Sequence, residues 1–273
     1  MRHLAERDDP DSTPAADSAP AALPAAAALA YDSRSRGNPV ANAKPHKAAF
    51  YDLDGTLLSC NLVTTYAYYA RNDRSLLRSA FLFARVLLYV PVFIALDLYS
   101  RTLFNQVFFR MYKGMHRDRL IGLADDLFEV TLKPSIYPGA EELVRRTRAE
   151  GFRNVLVTGA HDITVRPIAL HFGIEEVICN RLGFKSHLAT GRVLPPLVAE
   201  AEKARIIRDY AEREGIDLTR SCAFSDSTSD IPMLAVSGYP VATNPTRRLR
   251  RFAEQRGWPI VDLNNKELAL ALP

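Results

Sequence analysis

The chain has 273 residues, 48% apolar and 24% charged, with a formal net charge of +4. This balance is that of a globular protein, with enough chain to bury one large domain or a core carrying an inserted module. Its basic residues are dispersed, which argues against a nucleic-acid surface. Cys60, Cys179 and Cys222 lack C-x-x-C spacing, so neither a disulfide framework nor a zinc site is expected and a cytoplasmic setting fits best.

Residues 1–46 are rich in Ala, Pro, Asp and Ser without a sustained period, and read as a disordered tail. Within them Ala21 to Ala30 is short and broken by Pro24, a poor signal peptide. Ala48 to Tyr51 is an apolar run that reads as a buried strand, and it ends in Asp52 and Asp54, then Gly55 and Thr56. Residues two apart on a strand point the same way, so both carboxylates leave the strand tip together. That edge of an open α/β sheet is where ligands bind. Two close carboxylates repel unless a cation or a shared proton intervenes, so the pair calls for a divalent metal or for acid/base chemistry.

Residues 61–133 show no strand alternation and read as an all-α insertion, most simply a cap. Ser79 to Leu96 is the most hydrophobic stretch, close to the ~20 residues that span a bilayer. Arg85 and Pro91 interrupt it and Arg78, Asp97 and Arg101 flank it, so it is expected to be a core helix of the insertion. Contact of 79–112 with a membrane surface, and a true span by 79–96, are the alternatives.

From Pro138 onward strands and helices alternate. Gly139 to Glu150 reads as a helix, and Asn154 to Val157 as a strand ending in Thr158, Gly159, Ala160 and His161. A helix follows to His171, closed by Gly173, and then a strand from Glu176 to Cys179. Residues 181–195 look like a hairpin or flap. Ala199 to Glu214 is an amphipathic helix stopped by Gly215. Ser221 to Phe224 is a strand that leads into Asp226 and Asp230. Tyr239 to Ala242 and Trp258 to Asp262 supply two last strands around an Arg-rich helix. The alternation implies an α/β fold: a Rossmann-like parallel sheet with helices on both faces, built from 47–60 and 134–273.

On that frame Thr158 and Gly159 can hold an anion at a strand tip. Lys203 lies in the first turn of a helix, an unfavourable place for a cation unless it is recruited elsewhere. Asp226 and Asp230 with Asp52 make a hard-cation site. His161 is expected to be a solvent-exposed loop histidine.

Asp52-Leu53-Asp54-Gly55-Thr56, then Thr158, Lys203, and Asp226 with Asp230, resemble in kind and order the four motifs of the haloacid dehalogenase superfamily, over roughly 47–263. The run from Ser225 to Leu234 is similar to the phosphoserine-phosphatase-like branch, which carries a helical cap after its first motif. Ser225 stands where the family usually has Gly, and Asn61 where phosphoserine phosphatases keep an acid. The resemblance implies a Mg²⁺-dependent phosphomonoester hydrolase with an aspartyl-phosphate intermediate. Asp52 is then the nucleophile and Asp54 the general acid and base. Thr56, Thr158, Gly159 and Lys203 bind the phosphoryl oxygens, and Asp52, Asp54, Asp226 and Asp230 form the metal region. The apolar cap suggests a small or lipid-like phosphomonoester. A phosphotransferase or mutase using the same intermediate, and a membrane-associated interaction protein with a vestigial phosphatase fold, are the alternatives.

Overall fold

A computed structural model describes residues 46–73, 75–266 and 270; the tail expected over 1–46 lies outside them except for His46. The chain opens with β1 (Lys47–Tyr51), followed by α1 (Leu62–Arg71), α2 (Leu76–Tyr99), α3 (Arg101–Phe109), α4 (Arg117–Gly122) and α5 (Ala124–Leu127). It continues through α6 (Ala140–Ala149), β2 (Phe152–His161), α7 (Asp162–Phe172), β3 (Glu176–Lys185), β4 (Leu188–Leu194) and α8 (Glu200–Glu214). β5 (Cys222–Ser225), α9 (Ile231–Ala235), β6 (Tyr239–Thr243), α10 (Arg247–Arg256) and β7 (Ile260–Val261) complete it.

These strands form one sheet of order β4-β3-β2-β1-β5-β6-β7, parallel except for the β3–β4 hairpin. β1 is central, with Tyr51 opposite Leu156 of β2 and Phe224 of β5. Its side chains alternate, as a strand buried on both faces requires. Ala48 and Phe50 pack with Ile206, Ile207, Leu234 and Leu249 of α8, α9 and α10. Ala49 and Tyr51 join the core that holds Leu143, Val144 and Ile168 of α6 and α7. Tyr51 stacks on Phe224 at 4.9 Å, and its hydroxyl meets Thr147 Oγ1 at 2.5 Å.

β2 runs beyond the expected Asn154–Val157, because a register shift between Thr158 and His161 lets pairing with β3 resume. β7 is shorter than expected, since Pro259 has no N–H with which to extend the ladder. Between β1 and β2 every described regular element is helical.

α2 departs from expectation. It is one helix of 24 residues that carries Pro91 within it. It is not the core helix that its composition suggested. Ser79, Leu82, Val86 and Phe93 are its buried residues, a seam spaced by three, four and seven. Leu76, Leu77, Phe81, Leu88, Leu98 and Tyr99 are all at least 65% exposed. Sequence periodicity finds the seam but does not show how many other faces are covered.

Candidate active site

The tip of β1 is held from the neighbouring strand: Asp52 N–H donates to the Phe224 carbonyl at 2.9 Å. The chain then turns sharply, with Gly55 N–H on the Leu58 carbonyl at 2.7 Å and Leu57 N–H on the Leu53 carbonyl at 3.0 Å. Gly55 has φ of +84°, and a Cβ there would lie 2.4 Å from Asp226 Oδ2. Only glycine meets both demands, the left-handed backbone and the close carboxylate.

Lys203, in the first turn of α8, ties the pieces together. Its ammonium donates to Asp52 Oδ1 at 2.7 Å and to Asp230 Oδ2 at 2.8 Å, with the lysine side chain 5% exposed. Ser225 Oγ donates to the same Asp230 oxygen at 2.9 Å, so serine at that position serves the cluster. Thr56 Oγ1 lies 3.3 Å from both Asp52 Oδ2 and Asp226 Oδ1, and accepts the Asp226 N–H at 3.1 Å. Asp52, Asp54, Gly159, Lys203 and Asp230 line one small hollow of about 20 Å³.

Negative charge dominates this hollow. Burial pushes the Asp52 carboxyl up, while the Lys203 ammonium opposes that shift. Lys203 is held above its ordinary value because Asp230 and Asp52 outweigh the cost of its burial. Asp226 is pushed up to about 8, first by burial and then by the charges of Asp52 and Asp230. Among the described residues Asp226 has no ion-pair partner. Lys203 thus pairs with two buried aspartates, and Asp226 adds a third negative charge nearby that Arg101 only partly offsets.

Thr158 is fully buried, and its hydroxyl accepts the Ala160 N–H at 3.1 Å, closing the turn rather than lining the hollow. Gly159 does line it. Asn180 fastens this turn to the approach of α8, donating to the Gly159 carbonyl at 2.7 Å and accepting the Val198 N–H at 2.8 Å.

His161 is not the solvent-exposed histidine expected. It is 1% exposed, with its ring 4.9 Å from Tyr112 and 6.1 Å from Tyr69. Its Nε2 meets Thr164 Oγ1 at 3.0 Å, its Nδ1 is buried without a partner, and burial lowers its pKa to about 3. The β2 register shift carries His161 inward, a backbone irregularity that residue types do not signal.

Three polar residues of the hollow escaped sequence reasoning: Arg101, Asn105 and Glu200. Arg101 and Asn105 lie one turn apart on α3. Asn105 is 2% exposed and its Oδ1 is buried without a partner. Glu200 adopts φ of +49°, a strained value for a side-chain-bearing residue. Its carboxylate accepts the Arg101 N–H at 2.6 Å and the Thr102 hydroxyl at 2.9 Å, joining the start of α3 to the start of α8. The Arg101 and Asn105 pair at i, i+4 was the available signal; that this face meets the hollow is tertiary information.

The expected metal set comes together only in part. Among the described residues, no three His, Cys, Asp or Glu side chains converge on one point. Asp230 is turned toward Lys203 and Ser225 instead. Asp52 and Asp226, bridged by Thr56, keep a hard-oxygen donor set with excess negative charge. The unpaired Asp226 carboxylate fits a small divalent cation.

A larger cavity of about 460 Å³ adjoins the hollow and shares Asp54, Leu62 and Arg101 with it. Asp226 stands at its polar end, while Leu62, Val63, Val90, Phe93, Ile94 and Phe104 form an apolar wall. Asn61 also borders it, with its side-chain carbonyl committed to the Val63 and Thr64 N–H groups at 3.0 and 3.2 Å as the cap of α1.

Residues 49–235 match the haloacid dehalogenase-like hydrolase family. The chain is 30% identical to the Inhibition of morphological differentiation protein of Streptomyces azureus, over 81% of this chain and 79% of that one. It is 31% identical to Phosphoserine phosphatase SerB1 of Mycobacterium tuberculosis over 55% of this chain, spanning about half (49%) of that relative. A solved phospho-aspartyl intermediate analogue of phosphoserine phosphatase superposes with a TM-score of 0.61 at 21% identity, covering 82% of this chain and 96% of the other. This chain therefore belongs to the haloacid dehalogenase-like hydrolases and, among them, to the phosphoserine-phosphatase-like phosphatases.

Proposed function

We propose that the chain hydrolyses phosphomonoesters through a phosphorylated Asp52. The observation that carries this reading is the Asp52–Lys203–Asp230 cluster, with Asp54 lining the same hollow. Asp52 Oδ attacks phosphorus as the bond to the leaving alkoxide breaks. Asp54 gives its proton to that alkoxide, then takes one from the water that frees phosphate and restores Asp52. Lys203, fixed by Asp230, and the backbone at Gly159 face the phosphoryl oxygens and hold their charge through the transfer. Thr56 steadies Asp52 from the other side. Asp52, Asp226 and the Asp54 carbonyl are the residues that would hold Mg²⁺, which when bound offsets the charge between carboxylate and phosphoryl group.

The substrate we infer has an apolar or glycerol-like body, such as a lysophospholipid phosphate. The wall of Val90, Phe93, Ile94 and Phe104 beside Asp54 supports it. Asn61 supports it too, since its carbonyl is already committed and it carries no charge for a substrate ammonium.

The test is phosphate release from a panel of monoesters with and without Mg²⁺, wild type beside Asp52→Asn. Release that needs both metal and Asp52, and favours lysophosphatidate over phosphoserine, is expected. Activity surviving in Asp52→Asn would refute the mechanism, and a clear preference for phosphoserine would refute the substrate class.

A further inference from the structure

We propose that the exposed face of α2 docks on a lipid surface bearing anionic headgroups, so that the apolar cavity opens toward the bilayer. The delivery of substrate by this route rests on the phosphatase reading; the docking itself does not.

The first observation is the helix. Leu76–Leu96 has the length and composition of a membrane-crossing segment, yet only a narrow seam of it is buried. That seam packs against the rest of the protein, so the segment lies along the body instead of projecting from it. Phe81, Leu87, Leu88 and Leu98 are 59–75% exposed on the same helix. A helix lying in the plane of a membrane interface places such a face among acyl chains.

The second observation is charge. Residues 76–96 contain no Asp or Glu, and their charged residues are Arg78 and Arg85. Arg78 donates to the Gly114 carbonyl at 3.0 Å, and Ser79 Oγ donates to the Arg71 carbonyl at 2.7 Å. These bonds tie the backbone at Arg71, and at Gly114 next to Lys113, to the N-terminal end of α2 that carries Arg78; Arg71 and Lys113 are both exposed. Asp73, which pairs with Arg78 at 3.7 Å, is the acid in ion-pair reach of that cation. A cationic end on an apolar face suits anionic headgroups.

The third observation is continuity with the site. Val90, Phe93 and Ile94 of α2 line the cavity that ends at Asp54 and Asp226, and Ile94 is itself 56% exposed. The docking face and the cavity wall therefore belong to one helix. A phosphomonoester whose tail stays in acyl chains would reach Asp52 along this wall, without its body crossing water.

The experiment is flotation of the full chain with vesicles of phosphatidylcholine containing 30% phosphatidylglycerol, beside pure phosphatidylcholine vesicles. Leu88→Glu and Phe81→Glu change exposed residues that do not line the cavity. Wild type is expected to float with the mixed vesicles at least tenfold more tightly than with neutral ones. Each variant should lose at least tenfold in binding while keeping wild-type turnover of p-nitrophenyl phosphate in Mg²⁺ without vesicles. Wild type remaining in the aqueous fraction, or variants that float equally well, would overturn the proposal. So would a concentration-dependent dimer in sedimentation that the variants abolish without changing flotation. Flotation without any turnover of p-nitrophenyl phosphate would refute the phosphatase reading alone.

Discussion

His161 gives the chain an acid-sensitive core whose size follows from burial. In the folded protein its imidazole sits among Tyr69, Phe109 and Tyr112, with a pKa of about 3 against an ordinary 6.5. Unfolding returns it to water. Below pH 6.5 the unfolded chain therefore binds a proton that the folded chain refuses, and stability falls as pH drops from 6.5 toward 3. Above 6.5 the group adds no slope. At about 1.36 kcal/mol per pH unit, moving from pH 7.5 to 5.0 crosses roughly 1.5 units of that window and costs about 2 kcal/mol. His161→Gln keeps a polar contact for Thr164 Oγ1 but cannot take up a proton in this range. Urea unfolding of both proteins at pH 7.5 and 5.0 measures the difference, in which the titrating carboxylates of the site cancel. Wild type should lose about 2 kcal/mol more than His161→Gln on acidification. Equal losses would refute a buried neutral histidine.

Three substitutions test the site itself. Gly55→Ala puts a methyl within 2.4 Å of Asp226 Oδ2 on a left-handed backbone, so the Mg²⁺ concentration for half-maximal activity should rise at least about tenfold; an unchanged titration would refute Asp226 as a ligand. Lys203→Met leaves Asp52 and Asp230 buried without their cation, and denaturant unfolding should show a loss of about 3–5 kcal/mol together with loss of phosphate release. Retained stability would mean that the carboxylates do not depend on Lys203. Glu200→Gln weakens a charge-assisted bond at the start of α3, so KM should rise about tenfold while kcat stays within about twofold. Amide exchange across 101–105 should quicken in the same variant, and a change in neither quantity would sink the idea that Glu200 holds α3 over the hollow.

Much of the frame was legible because its signals are local. Asp52 and Asp54 at the end of an apolar run, Gly173 and Gly215 closing helices, and Asp226 just after a four-residue strand are each written within a few residues. Both glycines sit at left-handed φ, +62° and +65°, as the stops of α7 and α8 require. What was not legible depends on partners far along the chain. Arg101 and Glu200 are neighbours only because α3 folds back over the start of α8. His161 turns inward through a register shift that its residue type does not announce. The exposure of α2 was missed because an apolar segment interrupted by Arg85 and Pro91 reads the same whether its other faces meet protein or lipid.

The order of strands bears on how this chain is made. β1 pairs with β2 across an intervening helical segment, Tyr51 opposite Leu156, and with β5 still later, Tyr51 opposite Phe224. A nascent polypeptide emerging from the ribosome thus exposes the β1 run long before either flanking partner exists. Such distant pairings are slow, since the loop must close before the contacts reward it. Meanwhile the helices between Leu62 and Leu127 have mostly local contacts available and can form first. The two carboxylates that follow β1 accordingly wait for Lys203 and Asp226, and the cluster they form is complete only after those later residues have emerged.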